Sequence, residues 1–446
     1  MKTVKVGFNK PAGKIKPLHG VNNAARMTDY GELLEDFVSL RPPFCRLHDT
    51  AGVYGGSRYV DVANIFPDPE ADEDDPASYD FTLTDLYIKP LIEMGTEVFY
   101  RLGATIEHEP KKYRTVPPAD FSKWARVCEH IVRHYNDGWA NGFRFGIRYW
   151  EIWNEPDGTN PECEPYGCPN WQGSAEEYYR LYELTAKEIK SKHPDVLVGG
   201  YSSCYILGSF VNGGWFPGDH SFFTGFLSHV KESGAPLDFF SWHSYLGKQY
   251  IEKLEVESEF IDKMLSDFGF KNVSRFNTEW NCNISETGGE RKRIENYINY
   301  RNEKGASHVA AALYKMQRCK IDAAMYYDAQ LWFEYGALFN VPELTPSKAW
   351  HALRQFGELY SLGNAVWSTD DVNIYSCAAA SADKRLLCIA NIGDCEETVS
   401  LITDLPQGTR AGIFVLDAEK DLELVYDGTF PESIKMKPFS VVSIKC

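Results

Sequence analysis

Between about Lys16 and Phe356, short runs of β-branched and aromatic residues alternate with longer stretches of helical period, and this alternation restricts the fold more than any other feature of the chain. Eight runs read as strands: Leu18 to Ala24, Phe44 to His48, Glu97 to Gly103, Arg148 to Asn154, Val196 to Tyr201, Phe239 to Tyr245, Arg275 to Trp280 and Ala323 to Tyr327. Between them the apolar spacing predicts helices that include Asp29 to Leu40, Thr82 to Met94, Ala119 to Tyr135, Ala175 to Lys192, Glu252 to Phe268 and Glu303 to Arg318. Repeated strand-helix units of this kind point to an α/β fold, a (β/α)8 TIM barrel. An open doubly wound sheet fits less well, because no glycine-rich phosphate loop follows the first strand.

After Tyr360 the helical period disappears. Short alternating runs separated by turn residues take its place: Asn373 to Ala378, Arg385 to Ile389, Glu397 to Leu401, Ala411 to Leu416, Glu423 to Tyr426 and Ser440 to Ile444. They predict a C-terminal antiparallel β-sandwich, with the opening strand Thr3 to Phe8 pairing into it. The expected division is a catalytic barrel over residues 14–358 and an accessory β-sandwich domain made of 1–13 and 359–446.

With 46 Lys and Arg against 63 Asp and Glu, the net charge of −17 repels phosphate backbones and anionic membranes, so neither nucleic acid nor membrane is an expected partner. The run Met1 to Gly7 has no apolar core of a signal peptide and no later run approaches a membrane span, which predicts a soluble cytoplasmic protein. Most of the 11 cysteines, Cys45, Cys128, Cys204 and Cys388 among them, sit in apolar surroundings, as in a reducing compartment. Cys163 and Cys168 stand apart in a loop, where a local disulfide or metal clip is the alternative to two free thiols.

Two long insertions follow strands, Tyr54 to Tyr79 and Asp157 to Gly173, and should hang over the C-terminal face of the barrel. The acidic stretch Asp68 to Asp75 in the first lacks calcium-loop spacing and reads as a solvated loop, so no metal and no cofactor is expected.

Two of the barrel runs end in an amide and a carboxylate. Trp150-Glu151-Ile152-Trp153-Asn154-Glu155-Pro156 closes the fourth strand and Asn277-Thr278-Glu279-Trp280-Asn281 the seventh. A single glutamate at a strand end is ordinarily a solvated loop residue. Two at the same end of one barrel are what glycoside hydrolysis requires, one to protonate the leaving oxygen and one to attack the anomeric carbon or activate water. Strand alternation places Glu151, Trp153 and Glu155 on one face, so Asn154 reaches the same ligand only if the strand breaks there, and Pro156 suits that break. The same alternation groups Asn277 with Glu279 and Asn281, His243 with Tyr245, and Arg46 with His48.

The Trp-Glu-Ile-Trp-Asn-Glu-Pro run and the later Thr-Glu-aromatic-Asn resemble the retaining glycosidases built on (β/α)8 barrels. Arg46-Leu47-His48, Ser241-Trp242-His243 and the barrel-plus-sandwich layout resemble glycoside hydrolase family 39, the β-xylosidase and α-L-iduronidase family, over nearly the whole chain. The resemblance implies Glu155 as general acid/base, Glu279 as nucleophile, and Asn154, His48 and His243 in the sugar site, and it implies self-association. Arg46 and Tyr245 are expected beside them. Trp280 replaces the Tyr common in the family's β-xylosidases, and Tyr327 stands where the eighth strand often brings Trp; both are expected around the sugar. Trp332 and Glu334, just past that strand, complete the expected carbohydrate-binding set.

The implied activity is that of a retaining, exo-acting β-xylosidase-like hydrolase, with carboxyl groups about 5 to 5.5 Å apart rather than about 9 Å. Glu279 as an anion is expected to keep Glu155 protonated at rest. The alternatives are another specificity on the same scaffold (β-glucosidase, β-galactosidase or arabinosidase), an endo-glycanase, or a sugar-binding protein without turnover.

Overall fold

The computed structural model describes residues 2–27, 32–50, 59–106, 114–158, 170–204, 206–207, 210–211, 214–215, 220–247, 251–283, 289–331 and 335–446. Cys163, Cys168, Trp332 and Glu334 lie outside the described residues.

Eight strands form one closed barrel, and each pairs in parallel with the next in sequence: β1 (Gly20–Asn22), β2 (Phe44–Leu47), β3 (Glu97–Leu102), β4 (Tyr149–Ile152), β5 (Leu197–Ser203), β6 (Phe239–Gly247), β7 (Ser274–Asn283) and β8 (Ala323–Tyr326), which returns to β1. Each falls on one of the eight runs read from the sequence. Three of the connecting helices start where a polar cap precedes apolar periodicity. Ser174 and Glu177 close a reciprocal capping box at the head of Ala175–Lys192, and Asp120 and Ser347 cap Phe121–Asn136 and Lys348–Leu362. Ser221–Ser233, Gly289–Arg301 and Lys348–Leu362 are helices beyond those named from the sequence.

The barrel interior is layered. Phe44, Phe99, Tyr149, Phe239, Phe276, Ala323 and Met325 form an apolar floor. One inward-facing step further along, β2, β3 and β4 carry Arg46, Arg101 and Glu151, all fully buried. Polarity therefore rises abruptly toward the C-terminal ends of the strands, and that is where the site is built.

The accessory module is one continuous sheet of nine strands in the order Asp421–Thr429, Arg410–Leu416, Ser440–Lys445, Arg385–Asn391, Ile374–Ala380, Asn364–Ser368, Lys2–Lys14, Glu397–Thr403 and Ser433–Met436. It is antiparallel except where Lys2–Lys14 runs parallel to Glu397–Thr403. Residues near opposite ends of that order, Ile413 and Met436, share one apolar cluster with Val4 and Leu387, so the sheet curls over its own core. Its other face packs on the helices Glu303–Met316 and Lys348–Leu362, where Gln355 donates to Ser443 Oγ at 2.6 Å. Among the described residues all cysteines are free, and no helix is long and apolar enough to cross a membrane.

Candidate active site

Arg46 organises the mouth of the barrel. Its five N–H groups meet five acceptors: Nε donates to Glu151 Oε2 at 2.7 Å, Nη1 to Glu279 Oε1 at 2.7 Å and Asn22 Oδ1 at 3.0 Å, and Nη2 to Asn154 Oδ1 at 2.8 Å and Ser202 Oγ at 3.1 Å. One cation thus ties β1, β2, β4, β5 and β7 together. Burial works against its charge, but Glu151 and Glu279 outweigh that and hold the guanidinium pKa above its ordinary value.

The fourth strand ends as the sequence requires. β4 stops at Ile152, and Trp153 and Glu155 both take positive φ, 71° and 49°, which breaks the strict alternation of side chains. Trp153 turns its ring against Trp171 and donates to Asn170 O at 2.9 Å, while Asn154 and Glu155 face the site. Because Arg46 holds Asn154 through Oδ1, the amide nitrogen is left without a partner among the described residues, at a residue only 2% exposed.

The seventh strand departs from the expected alternation. Asn277 pairs opposite Trp242 and Glu279 opposite His243, so Thr278 is an extra residue and the ladder bulges there. The bulge turns Asn277 away from the site: it donates to Ser244 Oγ at 2.8 Å, and Ser244 in turn donates to Glu257 on the helix Lys253–Phe268. The grouping of Asn277 with Glu279 is therefore corrected, whereas Asn281 stays on the inner side opposite Tyr245 and donates to Tyr327 O at 2.6 Å. Trp280 is also corrected. It is fully buried and packs edge-on against Tyr326 in the main core, so its ring fills the core instead of lining the site.

Glu155 and Glu279 come together across His243. His243 Nδ1 lies 2.7 Å from Glu155 Oε1 and 3.4 Å from Glu279 Oε2. An oxygen from each carboxylate and a ring nitrogen of His243 all lie within 4.8 Å of one another, and no second trio of such groups comes as close among the described residues. The positive charge of this cluster is supplied by Arg46. Tyr245 Oη donates to Glu279 Oε2 at 2.9 Å, and Asn170 Nδ2 to Glu155 Oε2 at 3.1 Å.

The two acids sit in different surroundings, with side chains 4% exposed for Glu279 and 15% for Glu155. Burial pushes the Glu279 pKa up, with Glu155 and Asp49 adding to the push and His243 and Arg46 opposing it. Burial also depresses His243, to about 4, so its imidazole is neutral near pH 7. A neutral ring accepts a hydrogen bond from a protonated carboxyl and, as the other tautomer, donates one to a carboxylate.

The structure brings Arg46, Asn154, Glu155, His243, Tyr245 and Glu279 into one network. His48 Nε2 lies 3.7 Å from Glu279 Oε1 and 3.3 Å from Asp49 Oδ1. Tyr327 reaches the edge of the group, donating to Asp49 Oδ2 at 3.0 Å with its ring 6.4 Å from that of Tyr245. Sequence reasoning missed Asn22, Ser202, Asn170 and Asp49. None carries a local signal, since each is an ordinary polar residue in or just after a strand or in a loop, and only the folded chain sets it beside Arg46, Glu155 or Tyr327.

A family model described as glycosyl hydrolases family 39 matches residues 59–296, more than half of the chain. The chain belongs to glycosyl hydrolases family 39. A β-xylosidase of Geobacillus stearothermophilus is 29% identical over 252 residues, a stretch that is 48% of this chain and 42% of that protein. The chain thus matches less than half the length of that relative. Among solved structures, a glucosidase from Croceicoccus marinus superposes with TM-score 0.77 at 20% identity over 100% of this chain and 98% of its own. A family 39 β-xylosidase from Caulobacter crescentus gives TM-score 0.67 at 16% identity over 100% and 99%. At those identities the likeness establishes a common fold for this family 39 chain and its neighbours.

Proposed function

We propose that this family 39 chain is a retaining, exo-acting glycoside hydrolase of β-xylosidase type, with Glu155 as acid/base and Glu279 as nucleophile. The observation that carries the proposal is the approach of the two carboxylates to within 4.8 Å through one oxygen each. So close an approach of single oxygens leaves little room for a water between the acids, which supports direct attack by a carboxylate as in retaining enzymes, whose carboxyl groups stand about 5 to 5.5 Å apart.

In the first step a Glu279 oxygen bonds to the anomeric carbon as the bond to the leaving oxygen breaks, and the Glu155 proton passes to that oxygen. In the second, water attacks the anomeric carbon, its proton goes to Glu155, and the Glu279 carboxylate leaves. Donors from Arg46 and Tyr245 favour the anionic Glu279 that both ends of this cycle need. Neutral His243 matches either protonation state of Glu155, and the free amide of Asn154 suits a sugar hydroxyl beside the cleaved bond. His48 and Tyr327 would grip the rest of the sugar.

The β-xylosidase relative supports a xyloside as substrate, and release of single sugars follows from that activity. The glucosidase neighbour makes β-glucoside the comparison substrate. Proton NMR of p-nitrophenyl β-xyloside hydrolysis tests the reading: β-xylose is expected as the first-formed product. An α product first, or no turnover of any p-nitrophenyl glycoside in a panel, overturns it.

A further inference from the structure

Two residues after Glu155, Asp157 performs a task that the catalytic cycle does not use. The turn from Glu155 to Gly158 is closed by Gly158 N–H donating to Glu155 O at 2.9 Å, and it is fastened to the end of β5 at two points. Glu155 N–H donates to Ser202 O at 3.2 Å. The Asp157 carboxylate accepts from the Ser203 hydroxyl through Oδ2 and from Cys204 N–H through Oδ1 at 3.1 Å, with the Cys204 thiol 3.5 Å from Oδ1. Ser202 Oγ is in turn gripped by Arg46. The chain segment Ser202-Ser203-Cys204 therefore joins the acid's turn to the cation that holds Glu279.

We propose that Asp157 is a positioning residue for Glu155, fastening its turn to β5 and placing a fixed negative charge beside it that helps it keep its proton. The inference rests on Glu155 being the acid/base. Two features go beyond a structural staple. First, both carboxylate oxygens accept, so a neutral amide can keep the same contacts, its oxygen on Cys204 N–H and its nitrogen on Ser203 Oγ, and fastening alone does not call for a charge. Second, the titratable groups around Asp157 among the described residues offer it no cation. They are Glu155 on its own turn, Cys204 and Tyr201 of the β5 segment, Tyr178 and Tyr179 of the helix Ala175–Lys192, and neutral His243 of β6. Burial pushes the Asp157 pKa up to about 6, with Ser203 and Cys204 opposing and Glu155 adding to the rise. Above that pH the charge is present, and a neighbouring negative charge raises the pKa of an acid that must stay protonated.

The test is the pH profile of kcat/KM for wild type and Asp157→Asn with phenyl β-xyloside, whose leaving group needs acid help, and with a dinitrophenyl β-xyloside, which needs little. Asp157→Asn is expected to move the alkaline limb for the phenyl substrate down by about 0.5 to 1 pH unit, with a much smaller shift for the dinitrophenyl substrate. A folded Asp157→Asn protein whose phenyl-substrate limb stays where wild type has it overturns the proposal, even if its Tm falls. Should Asp157→Asn not fold, Ser203→Ala keeps the charge and loosens the fastening. It is expected to lose roughly tenfold on the phenyl substrate and under threefold on the dinitrophenyl one, and an equal loss, or none, on both counts against the inference. Absence of turnover in wild type sinks the glycosidase reading itself, whereas normal wild-type turnover with an unmoved limb sinks only the role of Asp157.

Discussion

The floor and the mouth of the barrel are built by the same strands, one inward step apart, and they obey opposite rules. Phe44, Phe99 and Tyr149 in the floor give way to Arg46, Arg101 and Glu151 in the layer above. In the floor, burial is the source of stability: large rings exclude water and pack edge-to-face, as between Phe44 and Tyr149. In the mouth, burial is a cost that must be offset, and it is offset by pairing every N–H of Arg46. The floor makes the barrel stable. The mouth gives up stability to hold two carboxylates close together in low dielectric, where small changes of charge have large effects.

Substitutions that break this contrast rank by expected effect. Replacing Glu279 with Gly removes the proposed nucleophile and is expected to lower kcat on p-nitrophenyl β-xyloside by on the order of 10⁴ or more. Arg46→Met treats the mouth as if it were floor. It leaves Glu151 and Glu279 buried without their cation, so urea unfolding is expected to show a loss of about 3 to 5 kcal/mol.

Arg46→Met also carries a pH signature. The proposed mechanism needs anionic Glu279, whose pKa burial already raises, so the acid limb of wild-type kcat/KM should lie above the position an ordinary glutamate would give. Losing Arg46 removes a group that opposes that rise, and the limb should move to still higher pH. An acid limb that moves down would contradict the role given to the pair.

Phe99→Ala makes the reverse test. A cavity among Tyr149, Phe239 and Phe276 is expected to lower stability by about 3 to 4 kcal/mol, while KM at a temperature where the variant stays folded changes little. A large KM change would mean that the two layers are not separable.

The smallest effect belongs to a charge cluster outside the barrel. Burial works against Glu183, but Lys187, Arg180 and His229 outweigh it and hold its pKa down to about 2. A carboxyl whose folded pKa is lowered contributes stability above the unfolded value near 4.5, and the contribution fades as pH falls toward about 2. Arg180 and Lys187 are 52% and 42% exposed, so solvent screening reduces the effect. Glu183→Gln should cost about 1 kcal/mol at pH 7 and almost nothing near pH 2.

The same contrast explains what the sequence disclosed. Floor and strand positions were legible because apolar periodicity is a local signal, and all eight strands fall on runs visible in the chain. The two acids were legible because amide-carboxylate pairs end two of those runs. Asn277 was misplaced because the bulge at Thr278 shifts the alternation by one residue, and nothing in Asn277-Thr278-Glu279 marks where an extra residue sits; Trp280 was placed around the sugar by family resemblance, although alternation with Glu279 and Asn281 already sets it on the opposite face. Asn22, Ser202 and Asn170 were invisible for a different reason: their partners sit on another strand or across a loop, and only the folded chain brings them together. In the accessory sheet, Asn364–Ser368 and Ser433–Met436 are short strands of mixed polarity beside stronger runs, and they declare themselves only through their partners.

In the proposed cycle Glu279 attacks and Glu155 delivers the proton. Incubating the protein with an activated 2-fluoro-β-xyloside and mapping the adduct by mass spectrometry of peptides tests it most directly. One covalent fluoroglycosyl group is expected, on the peptide and at the residue of Glu279, with parallel loss of activity. An adduct on Glu155, or complete turnover of ordinary β-xylosides with no adduct at any carboxylate, would contradict it.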